Sequence, residues 1–183
     1  MIISQLTPGD LHRMIKEKHP EAPNGELVIF DIDSTIMHTG YRNLRILNEA
    51  RALWPDLVPF ADGIGPDELG WDIVGLIRNR GCEDEQRLSA LKSFWEERFF
   101  HNDYLEADRP YPKVGEFIER LSSYGYRIIY LTGRDAPGME EGTRRSFLTH
   151  RIPEARCIFK PRKEIPDLEF KSEAMEEIGS LGT

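Results

Sequence analysis

The segment Leu27-Val-Ile-Phe30, followed at once by Asp31-Ile-Asp33-Ser-Thr35, constrains this chain more than any other feature. Consecutive apolar residues leave no polar face, so the segment is predicted to be a strand buried on both sides, as strands are in parallel sheets. Its abrupt charged end then falls at the C-terminal edge of such a sheet, where loops converge and ligands sit. A second run, Tyr126-Arg-Ile-Ile-Tyr-Leu131, ends in Thr132-Gly133-Arg134-Asp135 in the same manner. If the two strands are neighbours, both polar clusters face one crevice.

Helical patterns alternate with these strands. Asp10 is placed to cap a short helix carrying Leu11, Met14 and Ile15 that ends before Pro20, and Asn24-Gly25 marks a turn. Val114, Phe117, Ile118 and Leu121 share one helix face, which Gly125 closes. A helix over Thr143–His150, a strand around Ala155–Phe159 and a helix from near Phe170 to Ile178 follow, and Gly179–Thr183 reads as the turn into another strand. This alternation predicts an α/β fold with right-handed crossovers and a mainly parallel sheet.

The stretch 38–109 reads differently. Leu44, Leu47 and Ala50 fit a helix stopping before Pro55. Leu69, Ile73, Leu76 and Ile77 fit another, capped by Gly81, and Leu88, Leu91, Phe94, Trp95 and Phe99 a third, starting near Glu83. The expected organisation is therefore a core formed by 1–37 and 110–183, interrupted by a helical insertion over 38–109 that covers the crevice. Phe94, Trp95, Phe99, Phe100 and Tyr104 are expected to pack between the helices of that insertion.

Composition excludes several classes. With 24 basic and 32 acidic residues among 183, the net charge of −8 gives little attraction for nucleic acid or anionic lipid. No apolar run approaches the roughly 18 residues of a membrane span. The first ten residues have neither a basic region nor a long apolar one, so no secretory signal is read there. Cys82 and Cys157 stand far apart and fit reduced thiols, which points to a cytoplasmic protein. The five histidines show no metal-ligand spacing; His38 follows the first polar cluster closely enough to touch a substrate.

The clusters carry a definite chemistry. In extended geometry Asp31 and Asp33 point the same way and repel unless a cation relieves them. Mg²⁺, an oxygen-preferring ion, does so and also binds phosphate. One carboxylate then attacks phosphorus, and the other transfers protons to the leaving oxygen and from water. Thr132 offers a hydroxyl and Gly133 an unobstructed backbone N–H to phosphate oxygens. Arg134 offers a planar fork either to a second substrate anion or to a neighbouring acid.

Phe30-Asp-Ile-Asp-Ser-Thr35, followed by Tyr130-Leu-Thr-Gly-Arg134 with Tyr111-Pro-Lys-Val-Gly-Glu-Phe-Ile-Glu-Arg-Leu leading in, resembles the haloacid dehalogenase superfamily of phosphohydrolases. The resemblance implies a Rossmann-like core, an α-helical cap inserted between the first two motifs, and Mg²⁺-dependent phosphoryl transfer to a small phosphorylated substrate. Carried over by position, Asp31 is the nucleophile and a metal ligand. Asp33 is the acid/base, its backbone carbonyl also on the metal, and Thr35 supports the loop. Thr132 binds phosphate, and the second acid favours a phosphatase over a dehalogenase. Lys171, in Glu169-Phe-Lys-Ser-Glu, takes the place of the third-motif lysine, with Lys160 in Phe159-Lys-Pro161 as competitor.

The sequence departs from the family at its fourth motif, a strand ending in an acidic pair that completes the Mg²⁺ shell. Glu173, Glu176 and Glu177 read as a solvated helix face. Without the missing strand, the strand before Asp31 becomes a sheet edge prone to self-association. The expectation is a fragment of a longer reading frame, or a partner that supplies the strand. The expected function is Mg²⁺-dependent hydrolysis of a phosphate monoester through an aspartyl-phosphate. The alternatives are a catalytically silent phosphate- or partner-binding module, or a phosphomutase or phosphotransferase.

Overall fold

The computed structural model describes residues 7–18 and 26–180, so the turn expected at Asn24-Gly25 lies outside the described residues. So do the last three residues of the turn expected over Gly179–Thr183, whose first two, Gly179 and Ser180, end a helix instead. Helix α1 (Pro8–Lys18) opens on Thr7, not on Asp10. Thr7 N and Oγ1 donate to Asp10 Oδ2 at 3.1 and 2.6 Å, and Asp10 N donates back to Thr7 Oγ1 at 3.1 Å. This reciprocal pair is a capping box with proline at the first helical position, which is why the helix begins earlier than the Asp10 cap predicted.

Strand β1 (Leu27–Phe30) leads through a tight loop to β2 (Met37–His38). The insertion follows as α2 (Gly40–Leu53), α3 (Val58–Ala61), α4 (Ile73–Asn79) and α5 (Glu85–Phe99), joined by short 3₁₀ turns. Asp72 and Asp84 cap α4 and α5, accepting from the amides of Gly75 and Arg87. Strand β3 (Arg109–Pro110) then pairs antiparallel with β2, Met37 opposite Pro110 and His38 opposite Arg109. This two-stranded clasp, too short to show as a periodic pattern, brings the two ends of the helical stretch together.

After α6 (Val114–Ser123), the chain continues through β4 (Arg127–Asp135), α7 (Ala136–His150), β5 (Arg156–Lys160) and α8 (Asp167–Ser180). The sheet is parallel in the order β1-β4-β5, with Phe30 opposite Tyr130 and Thr132 opposite Phe159. The molecule is α/β, as expected. Three elements run longer than predicted. Strand β4 carries on through Thr132-Gly133-Arg134, with a register irregularity between Thr132 and Asp135. Helix α7 starts at Ala136 because Asp135 caps it, accepting from Gly138 N, with Pro137 in the first turn. Helix α8 starts at Asp167, three residues before Phe170.

The apolar residues pack as three clusters. Ile46, Leu57, Ile77, Leu91 and Phe99 belong to one that lies wholly within the helical stretch, with Phe94 buried and Trp95 packed against it. Ile32, Ile36, Ile118, Tyr130 and Ile152 fill the space between the sheet and α6 and α7. Leu131, Phe170 and Ala174 join the sheet to α8. Strand β1 is half-buried along its length instead of fully buried. It stands at an edge of the sheet among the described residues, so only β4 covers it in the plane. A groove of about 980 Å³ runs beside it, lined by Leu11, Phe30, Thr35, Val114, Phe117 and Arg120.

Candidate active site

The loop after β1 decides where the two acids go. Ile32 is fully buried, and its carbonyl accepts from the amides of Thr35, Ile36 and Met37 at 3.2, 2.9 and 2.9 Å. Ser34 sits at φ 60°, and its amide donates to Met37 O at 2.8 Å. This turn replaces the extended geometry that would have aimed Asp31 and Asp33 the same way, and the two carboxylates part. That correction removes the shared charge between them, and among the described residues no three His, Cys, Asp or Glu side chains stand close enough to hold a metal ion.

Asp31 faces Lys171. Its Oδ2 accepts from Lys171 Nζ at 2.8 Å, and its Oδ1 accepts from the amide of Ile32 at 2.8 Å. Both partners remain in reach of solvent, at 31% and 40% exposure for the lysine and aspartate side chains. Lys160, the competing lysine, is turned elsewhere: its Nζ donates to Asp167 Oδ1 at 2.6 Å.

Asp33 instead enters a buried cluster of four charges. Its Oδ1 accepts from Arg42 Nη2 at 2.9 Å and from Arg134 Nη2 and Nε at 2.6 and 3.2 Å, whereas Oδ2 accepts only from Arg134 Nε, at 3.2 Å. Asp108 completes the group, taking Arg42 Nε on Oδ1 at 2.9 Å and both Arg42 Nη2 and Arg134 Nη2 on Oδ2 at 2.6 Å. Arg42 also donates to Phe99 O at 2.8 Å, and Phe99 lies under its guanidinium with 4.1 Å between them. Burial alone would push the Asp33 carboxyl up. The charges and hydrogen bonds of Arg134 and Arg42 outweigh it and hold the carboxyl down at about 2. For Arg134 burial opposes the charged form, and Asp33 with Asp108 overcomes it, raising its pKa.

The remaining candidates divide. Thr132 is buried, and its Oγ1 accepts the Arg134 amide at 3.2 Å, leaving its own proton for another acceptor. Gly133 lies under the first turn of α8: a Cβ there would overlap the Asp167 carboxylate. Arg134 does not reach out for a substrate anion; its side chain is closed off within the ion pairs and a 2.9 Å bond to Thr143 Oγ1. His38 is likewise engaged, with Asp67 at 2.9 Å, the Gly40 amide at 3.1 Å and the Tyr111 ring stacked at 5.2 Å. Glu173, Glu176 and Glu177 are exposed on α8. Arg42 and Asp108 escape a sequence reading because each is an ordinary charged residue whose partner lies 66 residues along the chain, and Asp167 because nothing around it marks it as the partner of Lys160. The one available signal was that Asp108 and Arg42 stand near the two ends of the helical stretch.

No family model matches the chain, and no curated protein matches it in sequence. Solved structures do match its fold. A candidate phosphatase from Clostridium difficile superposes at TM-score 0.57 with 14% identity, over 86% of this chain and 72% of that one. The fold is haloacid dehalogenase-like. A hydrolase from Streptococcus pneumoniae TIGR4 is similar more loosely, at TM-score 0.44 and 14% identity over 85% of this chain and 79% of that one. In the haloacid dehalogenase-like fold the sheet's C-terminal end carries Asp31, Thr132 and Gly133, with Lys171 reaching in from α8. No helix among the described residues is long and apolar enough to cross a membrane.

Proposed function

We propose that the chain hydrolyses a phosphate monoester through an aspartyl-phosphate formed on Asp31. The observation that carries this reading is the Lys171–Asp31 contact of 2.8 Å at the C-terminal end of β1. A half-exposed carboxylate beside a fixed ammonium suits a nucleophile whose attack on phosphorus gathers negative charge. Lys171 then has two tasks, orienting Asp31 and neutralising the equatorial oxygens as the new O–P bond forms and the leaving oxygen departs. That oxygen takes its proton from water, because the Asp33 carboxyl held down at about 2 has none to give and so does not fill the acid half of its expected role. Thr132 and the Gly133 amide flank the same end of the sheet and supply donors to the phosphate. Asp33, kept ionised, serves as the base of the second step. It takes a proton as water attacks phosphorus, and the Asp31–phosphorus bond breaks to restore the carboxylate.

Mg²⁺ belongs to this proposal in a shared site. The ion is commonly held through one or two carboxylates, waters and substrate phosphate, so Asp31 with the Asp33 main-chain carbonyl fits part of such a shell once phosphate is present. Bound there, it would supply charge neutralisation at the phosphoryl oxygens. The substrate is taken to be small, since the acidic net charge offers nucleic acid no electrostatic footprint.

The test is release of inorganic phosphate from p-nitrophenyl phosphate and from a panel of small phosphate esters, with Mg²⁺ and with EDTA. Turnover with Mg²⁺ that EDTA stops supports the reading; no release from any ester overturns it. A second reading, phosphate binding without turnover, draws on the lack of a three-acid cluster among the described residues. It would show as saturable binding of inorganic phosphate by a chain that turns over no ester.

A further inference from the structure

The buried charge cluster ties the catalytic loop to both ends of the helical stretch. Arg42 lies in the first turn of α2, and Asp108 immediately precedes β3. Their side chains, 66 residues apart in sequence, form a two-pronged ion pair with no exposure on either side. Through Arg42 Nη2 and Arg134 Nη2, that pair also grips Asp33. A structural staple between two chain segments needs only Arg42 and Asp108. Here both guanidiniums converge on one oxygen of a third residue, the acid proposed for proton transfer.

The grip is lopsided, and the asymmetry has a chemical consequence. Asp33 Oδ1 receives three N–H donors, with contacts of 2.6, 2.9 and 3.2 Å, and so has no capacity left for another proton. Oδ2 receives one donor at 3.2 Å and keeps a free lone pair. The side chain is 11% exposed, so the carboxylate is not wholly closed to solvent. We infer that Arg42 and Asp108 are positioning residues: they lock Asp33 through Oδ1 so that Oδ2 is the oxygen that takes a proton from the attacking water. This rests on the phosphohydrolase reading given above. It also makes the second chemical step depend on the helical stretch being docked, since Arg42 reaches Asp33 only while α2 holds its place.

In balanced form, Asp31 first takes the phosphoryl group from p-nitrophenyl phosphate and nitrophenolate leaves as an anion. Water then attacks phosphorus, the Asp31 O–P bond breaks, and one water proton passes to Asp33 Oδ2. Only that second step uses the positioned oxygen. The Asp108→Asn variant keeps the shape of the cluster but removes the charge that steadies both guanidiniums. With p-nitrophenyl phosphate and Mg²⁺ it is expected to lower kcat and KM together, by roughly tenfold to a hundredfold, leaving kcat/KM unchanged. A stopped-flow burst of about one nitrophenolate per chain should accompany this, as acyl-enzyme-type intermediates give when their breakdown is slow. Arg42→Lys, which retains the charge and gives up the fork, should show the same pattern and decides the matter if Asp108→Asn does not fold.

A fall in kcat at constant KM, with a burst scaled to the folded fraction, overturns the inference, because that is what loss of a purely structural pair produces. Unchanged kinetics in both variants overturns it as well, and so does failure of both variants to fold. If the unmodified chain releases no nitrophenolate at all, the phosphohydrolase reading falls and takes this inference with it. An active unmodified chain whose variants lack the coupled fall in kcat and KM sinks the inference alone.

Discussion

The Lys171 ammonium lies 2.8 Å from Asp31 Oδ2, across 140 residues of sequence. Helix α8 makes this possible by starting at Asp167, which puts Lys171 in its second turn, on a helix packed against the sheet through Phe170 and Ala174. Lys160, at the end of β5, is 8% exposed and committed to Asp167. The contact with Asp31 is thus made by Lys171, the lysine that the sequence resemblance put first, and not by Lys160.

Replacing Asp31 with Asn is expected to abolish phosphate release while leaving the fold intact. A phosphate-release assay beside a circular dichroism spectrum checks both halves. Wild-type turnover by the folded variant would place the nucleophile elsewhere.

Lys171→Ala should lower kcat by roughly 10² to 10³, the scale on which a single stabiliser of transition-state charge acts. Lys160→Met should cost stability in preference to turnover, because its ammonium faces Asp167 and not Asp31. Steady-state kinetics on both variants, corrected for folded fraction by thermal melts, compares them. Equal losses of kcat would contradict the assignment.

Arg134→Met leaves Asp33 and Asp108 facing a single guanidinium inside the protein. Breaking a buried ion cluster in this way should cost about 3–5 kcal/mol. Urea titration followed by tryptophan fluorescence measures it. A loss under 1 kcal/mol would mean that water enters the cluster freely.

Acid should act on the fold through Asp33. Its carboxyl is held near 2, below the ordinary 3.8, so its contribution to stability is present above about pH 4 and is lost as pH falls toward 2. Melting temperatures between pH 6 and 2, compared with those of Asp33→Asn, isolate this share. The two curves should converge as pH approaches 2, and a constant gap would contradict the depressed carboxyl.

Mg²⁺ alone should raise the melting temperature little, because among the described residues no three His, Cys, Asp or Glu side chains stand together to hold it. Mg²⁺ together with a phosphate mimic such as beryllofluoride should raise it by several degrees, as a ligand that binds only the folded chain does. Differential scanning fluorimetry with each component alone and combined is sufficient. A large shift from Mg²⁺ alone would reveal a protein-held metal site.

What local sequence determined follows from periodicity and backbone chemistry. The Leu27–Phe30 run, the alternation after Pro112 and the helical stretch from His38 to Arg109 were legible because burial on one face or two dictates where apolar residues recur. The α/β class with a parallel sheet followed from that alternation. Boundaries were less legible: Thr7 and Asp135 cap their helices through hydrogen bonds that small shifts in register would move, and Asp167 opens α8 before any apolar residue signals it. The β2–β3 clasp has only two residues on each side, below any period.

The site divides along the same line. Sequence placed Asp31, Asp33 and the Thr132-Gly133-Arg134 group at strand ends, because an apolar strand that stops at a charge must stop at the sheet's rim. Only the tertiary structure decided which charge meets which. A single turn around the Ile32 carbonyl sends Asp31 toward Lys171 and Asp33 toward Arg42, Arg134 and Asp108. Electrostatic energy depends on distances between groups that the chain brings together from far apart, and on how much water is left between them. Neither quantity is a property of any local stretch, so the pairing of these charges belongs to the folded molecule alone.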